Sequence, residues 1–391
     1  MIPTLLSRSA AELQPSVFSQ LTPKIKELGA KCIPLHIGDT YRLPPFVARQ
    51  ALRDAVDKEI DSTRYFKYTH PAGMASLLDA LTQKLERDNG MKTTPAQLQV
   101  TNGATQGLCS IAQTILDPGD EVIVLCPHWP LIRGIVQSVG GVVVDAPFTE
   151  AVADPEAVLA PLLTERTKAV YFANPNNPDG QILDREQCET LYDFCDTRNL
   201  LLWSDEAYEH IVFDGREKFS MGALDNGRSH QRVLSVFTFS KSFGMAGMRL
   251  GYVAGPLQEM DYLRRVSTHQ VYDLCELNQV AGLACLTQPE ADYNSFLNEQ
   301  REEYQKARDL LLTAFPDCPV SPGGAYLFVP FASRDAAWNS MLAWLEEGVS
   351  SAPGEAFGGL HPHCLRLCFT AVPYQRLEQA VEVIKRVGVA G

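Results

Sequence analysis

Ser235-Val-Phe-Thr-Phe-Ser-Lys-Ser-Phe-Gly-Met-Ala-Gly-Met-Arg-Leu-Gly-Tyr252 is the stretch from which the rest of the chain is best read. It opens as a mostly apolar, β-prone run, the pattern of a buried strand. Lys241 follows that run, flanked by Ser240 and Ser242, with Gly244 and Gly247 beyond. A lysine at a strand's end, held among hydroxyls and small residues, can be aimed at a bound aldehyde. Arg249 stands just before another apolar run. Taken alone, a lysine and an arginine at strand ends are surface charges.

Outward from this stretch the chain repeats one rhythm. Short apolar runs at 98–101, 122–126, 141–145, 169–173, 200–204, 233–239 and 250–254 read as seven strands. Helical patterns stand at 46–60, 74–88, 104–116 and 185–197, and a single one is expected over 256–287. Near-continuous apolar strands separated by helices predict an α/β fold with a mostly parallel sheet covered on both faces. After residue 287 the pattern becomes α+β: a long helix over 291–315, strands at 326–329 and 365–369, and a helix over 375–387. The expected organisation is an arm and part of a small domain over 1–45, a large domain over 46–287, and the rest of the small domain over 288–391.

Composition narrows the partners. The 391 residues are 45% hydrophobic and 21% charged, with Gly 27 and Pro 25, which excludes disordered and collagen-like chains. The formal net charge of −13 disfavours nucleic acid and anionic membranes as partners. No apolar run is long enough to span a bilayer. Residues 1–16 show no signal-peptide core. The ten cysteines include no CxxC pair, and each reads as a small buried hydrophobe. A reduced, cytoplasmic location is expected.

Three further segments bear on Lys241. Leu201-Leu-Trp-Ser-Asp-Glu-Ala-Tyr208 ends a strand with Asp205, and Tyr208 follows. A buried aspartate needs a cationic partner, and a protonated ring nitrogen is one. Asn174-Pro-Asn-Asn-Pro-Asp-Gly180 is a rigid turn that offers Asn177 as a donor. Thr101-Asn-Gly-Ala-Thr105 joins a strand to a helix, whose free N–H groups suit a phosphate.

Together and in this order, from Gly38 to the C-terminal helix, these pieces resemble the fold-type-I pyridoxal-phosphate enzymes, specifically the class I/II aminotransferase family. The resemblance implies pyridoxal 5′-phosphate as cofactor and a seven-stranded, mixed but mostly parallel sheet. It implies that Lys241 forms the Schiff base, that Asp205 partners the ring nitrogen, and that Tyr208 and Asn177 bond the phenolic oxygen. Gly103, Ala104, Thr105, Thr238 and Arg249 match the phosphate contacts, and Trp129 matches the aromatic stacked on the ring. Arg366 matches the clamp for the substrate α-carboxylate, and Gly38 the glycine that closes over the substrate. Tyr68 matches a tyrosine that reaches the neighbouring subunit's phosphate, which implies a homodimer with shared sites.

Two positions depart from the family pattern. Thr238 stands where serine is usual, and Asp179 where threonine is usual; both substitutions are compatible with the site. No second arginine for a dicarboxylate side chain is identifiable. Arg133 and Arg42 read as solvated charges, and His36, Tyr41, His70 and Tyr272 are further candidates for the pocket wall.

The implied activity is transamination between an α-amino acid and a 2-oxo acid, with ping-pong kinetics. A carbon–sulfur β-lyase shares the lysine, aspartate and arginine set and is the alternative. A non-catalytic cofactor-binding regulator is the remote one, because such regulators carry a DNA-binding module and this acidic chain has no room for one before residue 30.

Overall fold

The computed structural model describes residues 7–13, 21–59, 61 and 63–389. The N-terminal arm expected over 1–45 lies partly outside these, at residues 1–6 and 14–20.

In chain order the strands are β1 (Ile33–Pro34), β2 (Leu98–Thr101), β3 (Glu121–Cys126), β4 (Val142–Pro147), β5 (Thr167–Ala173), β6 (Leu201–Asp205), β7 (Val233–Thr238), β8 (Gly251–Ala254), β9 (Tyr326–Pro330), β10 (Val349–Ser350), β11 (Ala352–Pro353) and β12 (Cys364–Cys368). Seven of them make one sheet in the order β2-β8-β7-β6-β5-β3-β4. Within it only β8 runs antiparallel, against β2 and β7. The sheet is buried because its strands are nearly continuous in Val, Ile, Leu and Phe. One face packs Leu108, Ile111, Tyr171, Trp203 and Val236 together. The other packs Ile123, Val170, Phe172 and Leu202 against the helix Arg185–Thr197. That helix starts on a capping box: Gln187 N–H donates to the Asp184 carboxylate at 2.9 Å, and the Gln187 side chain accepts from Asp184 N–H at 3.1 Å.

A second core joins the two ends of the chain. Leu21, Ile33 and Leu35 pack with Tyr304, Tyr326, Trp344, Leu367 and Ile384. Here β1 pairs in parallel with β10, and β12 lies antiparallel between β11 and β9. Residues Thr22–Leu28, within the segment expected as an arm and given no helix above, form a helix with proline in its first turn. Ile25 and Leu28 pack against that second core. The helix Arg334–Glu346 escaped the sequence reading; its signal was Ser333, whose side chain accepts from Ala336 N–H at 3.1 Å.

The single helix expected over 256–287 is two, Leu257–Val271 and Glu276–Thr287. Tyr272 breaks it at φ 64°. Contacts with a distant segment hold the break: Tyr272 meets Tyr68 edge-on at 4.8 Å, and the Asp273 carboxylate accepts from Thr69 N–H. Cys275, in this break, is exposed rather than buried. Among the described residues no helix is long and apolar enough to cross a membrane.

Candidate active site

Topology brings the singled-out residues to one edge. Asp205 and Thr238 are the last residues of β6 and β7, and Asn177 lies in the turn after β5. In parallel sheets the carboxyl ends of the strands are where ligands sit. Strand β8 runs the other way, so its first residue, Gly251, pairs with both Thr238 and Thr101. Arg249, just before it, therefore arrives at the same edge.

A cleft of about 1290 Å³ opens there. Gly38, Ala104, Thr105, Trp129, Asn177, Asp205, Tyr208, Thr238, Lys241, Arg249 and Arg366 all line it. Gly103 starts the helix Gly103–Ile115 beneath it. Tyr68 does not reach this cleft and is 80% exposed.

Lys241 sits on a one-turn helix, Phe239–Ser242, whose cap is Thr238: its hydroxyl accepts from Ser240 N–H at 3.2 Å. The Lys241 ammonium donates to the Gly38 carbonyl. Burial lowers its pKa, and the Arg366 and Arg249 charges add to that, against Cys368 and Asp39. A lysine so placed has its neutral, nucleophilic form favoured.

Asp205 is 6% exposed. Its carboxylate accepts from Tyr171 O–H at 3.1 Å and from Ala207 N–H at 3.2 Å. Among the described residues no cation pairs with it, and burial pushes its pKa up to about 6. Tyr208 shares a hydroxyl–hydroxyl hydrogen bond with Tyr326, which no motif had singled out.

Among the described residues Arg249 donates only to carbonyls, of Ala246 at 3.0 Å and Asn102 at 3.3 Å. It lies over the helix start, so close that a Cβ on Gly103 would come within 2.5 Å of its Nη2. Thr238 and Ser240 add hydroxyls, 2.9 Å apart. Ser240, which lines the cleft, was visible in the sequence only as a neighbour of the lysine.

Arg366 is 4% exposed, in the middle of β12. The rings of Tyr326 and Phe357 lie 4.2 and 4.7 Å from its guanidinium. It donates to Asn177 Oδ1 at 3.0 Å and to the His36 carbonyl at 2.7 Å, and among the described residues its Nε has no partner. A buried guanidinium with a spare donor and no carboxylate is arranged for an incoming one.

The lesser candidates divide. His36 lines the cleft, whereas Tyr41, His70 and Tyr272 do not. Neither arginine is simply solvated. Arg42 binds Glu303 at 3.0 Å, away from the cleft. Arg133 is part of the cleft wall and is paired with Asp145, which is contributed by β4. Sequence reading missed this because Arg133 and Asp145 meet only when β4 packs beside its neighbouring helix. Asp179 supports its turn, accepting from Asn176 Nδ2 at 2.8 Å and from Gln181 Nε2 at 2.6 Å.

Each unsatisfied feature fits one part of pyridoxal phosphate. The helix start with Arg249, Thr238 and Ser240 suits a phosphate dianion, the unpaired Asp205 a protonated ring nitrogen, and Lys241 an aldehyde. The fold and cleft together thus define a pyridoxal-phosphate-dependent enzyme. The sequence model described as aminotransferase class I and II matches residues 30–384, and the chain belongs to that family. It is 35% identical to the aspartate/prephenate aminotransferase of Thermus thermophilus over 98% of both chains. It is 31% identical to the aspartate aminotransferase of Geobacillus stearothermophilus, over 97% of this chain and 98% of the relative. Among solved structures, Thermus thermophilus aspartate aminotransferase with maleate superposes with a TM-score of 0.88 at 32% identity, covering 98% of this chain and 99% of that one. The chain is a PLP-dependent transaminase, with the α/β fold of that family.

Proposed function

We propose that the enzyme moves an amino group between an α-amino acid and a 2-oxo acid in two half-reactions at this one cleft. The observation that carries the reading is the meeting there of Lys241, Asp205, Arg249 and Arg366, each lacking, among the described residues, the counter-group its charge or chemistry calls for. When bound, pyridoxal phosphate supplies an electrophilic carbonyl and a ring that withdraws electrons from the substrate's α-carbon. Lys241 would hold the cofactor through its amine, and its Nζ would serve as the base for the α-proton of the substrate. Asp205 stays ionised against the ring nitrogen. Gly103, Ala104, Thr105, Thr238 and Arg249 would hold the phosphate, and Trp129 would pack against the ring. Asn177, whose Oδ1 is engaged by Arg366, donates its amide to the phenolic oxygen together with Tyr208. Arg366 grips the α-carboxylate, and Gly38 lies over it.

The relatives' names support a dicarboxylic amino acid as one donor. Arg133 on the cleft wall supports it too, because its guanidinium could be shared between Asp145 and a side-chain carboxylate. We further propose a homodimer. Phe46, Phe66 and Tyr68 are 68%, 79% and 80% exposed, more apolar surface than a lone chain favours, and Tyr68 lies outside its own cleft. The ten cysteines are all free, which supports a reducing, cytoplasmic location. The core that joins Leu21, Ile33 and Leu35 to residues between Tyr304 and Ile384 supports a small domain built from both chain ends, while large-domain packing runs past 287 to Tyr293 and Leu297.

Stopped-flow mixing of the cofactor-loaded enzyme with single amino acids tests the reading. The expected result is conversion of the visible band to that of the aminated cofactor, one 2-oxo acid per site, and no ammonia. Aspartate or glutamate should be among the fast donors; conversion confined to neutral amino acids rejects the dicarboxylate assignment. Ammonia and pyruvate released from a cysteine conjugate would favour β-elimination instead.

A further inference from the structure

Tyr171 is a polar residue in an apolar place. It is fully buried in the middle of β5, among Val124, Trp203, Val236 and Leu108. Its register partner on β6 is Trp203, and Asp205 lies two residues further along the same face, opposite Ala173. Tyr171 and Asp205 are therefore diagonal neighbours across two parallel strands, a separation that a long side chain spans. The phenol closes it, donating to Asp205 Oδ2 at 3.1 Å. A phenylalanine would fill the same space without a hydroxyl to satisfy, so the hydroxyl is there for the carboxylate.

We propose that Tyr171 is a positioning residue for Asp205: it holds the carboxylate's orientation and keeps it ionised for the cofactor's ring nitrogen. This rests on the role proposed above for Asp205. Asp205 has few groups to stabilise its charge. Oδ1 is held by Ala207 N–H and Oδ2 by Tyr171, while the adjacent Glu206, itself paired with Lys218, pushes the other way. With Tyr171 gone, one oxygen loses its donor and the carboxylate is free to turn. Burial and the Asp205 charge raise the Tyr171 pKa well above its usual value, so the phenol remains a donor throughout the working range.

The chain contains its own control. Tyr192 makes the same kind of buried bond, to Asp225 at 2.7 Å, on the opposite face of the sheet and away from the cleft. Three readouts decide the matter in Tyr171→Phe and Tyr192→Phe: thermal stability, the titration of Asp205 in cofactor-free protein followed by carbon NMR of labelled aspartate, and the Kd of pyridoxal phosphate. In Tyr171→Phe the Asp205 midpoint should move upward, Kd should rise roughly tenfold, as for one lost hydrogen bond to a charged group, and kcat should fall with KM nearly unchanged. Tyr192→Phe should alter stability alone. Placing 3-fluorotyrosine at 171, a stronger donor of nearly the same shape, should move the midpoint downward, a change of sign that damage to the fold cannot mimic. A Tyr171→Phe protein whose Asp205 titration and Kd match wild type overturns the proposal. Asp205→Asn separates the two levels. If it keeps the wild-type Kd, the role of Asp205 itself fails; if it loses tight binding while Tyr171→Phe is silent, only the role of Tyr171 fails.

Discussion

Arg366 is a buried cation with aromatic rings beside it and, among the described residues, one idle N–H and no acid to answer it. In the proposed clamp role its truncation removes a charge-assisted pair with the substrate carboxylate, an interaction worth about 3 kcal/mol. Arg366→Ala should therefore lower kcat/KM by about a hundredfold for every α-amino acid, mostly through KM. Unaltered KM values across a donor panel would contradict the clamp. Asp205 presents the opposite problem, a buried anion waiting for a cation. Its pKa in the cofactor-free chain is about 6, above that of a free carboxyl, so the folded chain keeps a proton that the unfolded chain has already released. Stability of the cofactor-free protein then falls as pH rises from about 4 to 6 and stays reduced above that range. Asp205→Asn has no such carboxyl to ionise. At pH 8 the cofactor-free variant should melt a few degrees above the cofactor-free wild type, and at pH 4 the gap should close. Calorimetry at the two pH values checks this, and equal melting temperatures at pH 8 would count against it.

Elements turn these residues into a site. The helix Gly103–Ile115 points its free N–H groups at the place Arg249 also reaches. The two elements approach closely enough to require Gly103, which has φ +73° and no room for a side chain beneath the guanidinium. Gly103→Ala should weaken cofactor binding by about tenfold or more, with a loss of stability on the order of 1 kcal/mol from the left-handed backbone. Equilibrium dialysis and a denaturant melt measure the two effects separately. A Kd equal to wild type would remove this helix start from the phosphate site. The seven large-sheet strands were legible because strands buried on both faces leave apolar runs. The break at Tyr272 was not legible, since it is imposed by Tyr68 and Thr69, two hundred residues away in the chain. The helix Thr22–Leu28 was likewise hidden among prolines, and its apolar side chains acquire a surface to cover only once the C-terminal core is built.

At the scale of the whole molecule, the cleft lies where the two cores meet. Gly180, from the turn after β5, comes so near the segment 321–323 that a Cβ there would stand 1.9 Å from Ser321 Oγ. Val212 bridges to Gly323 in the same region. These contacts bring Arg366 to Asn177 across the join. The exposed aromatics Tyr68 and Tyr272 lie outside the cleft. Sedimentation at micromolar protein should show a species of twice the chain mass. Arginine substitutions at Phe66 and Tyr68 should shift it toward monomer and lower activity with it, and a monomeric wild type would refute the shared site.

From the sequence alone came the identity of the groups: a lysine, an aspartate and two arginines, each placed by a motif at the end of a strand or within one. That is legible because the chemistry of a side chain and its position within a local element are properties of a short stretch of chain. Only the tertiary structure decided which charges are left unmatched. In the sequence Arg366 is one charge between two leucines, with nothing local to say that it is buried, and Arg133 read as a solvated charge. Burial and partners depend on strands and helices far apart in sequence, so they exist only once the sheet has formed and the two ends of the chain have closed into one core. The hydrogen bond from Tyr171 to Asp205 is the sharpest case: neither residue announces the other, and the register of β5 against β6 puts them within reach.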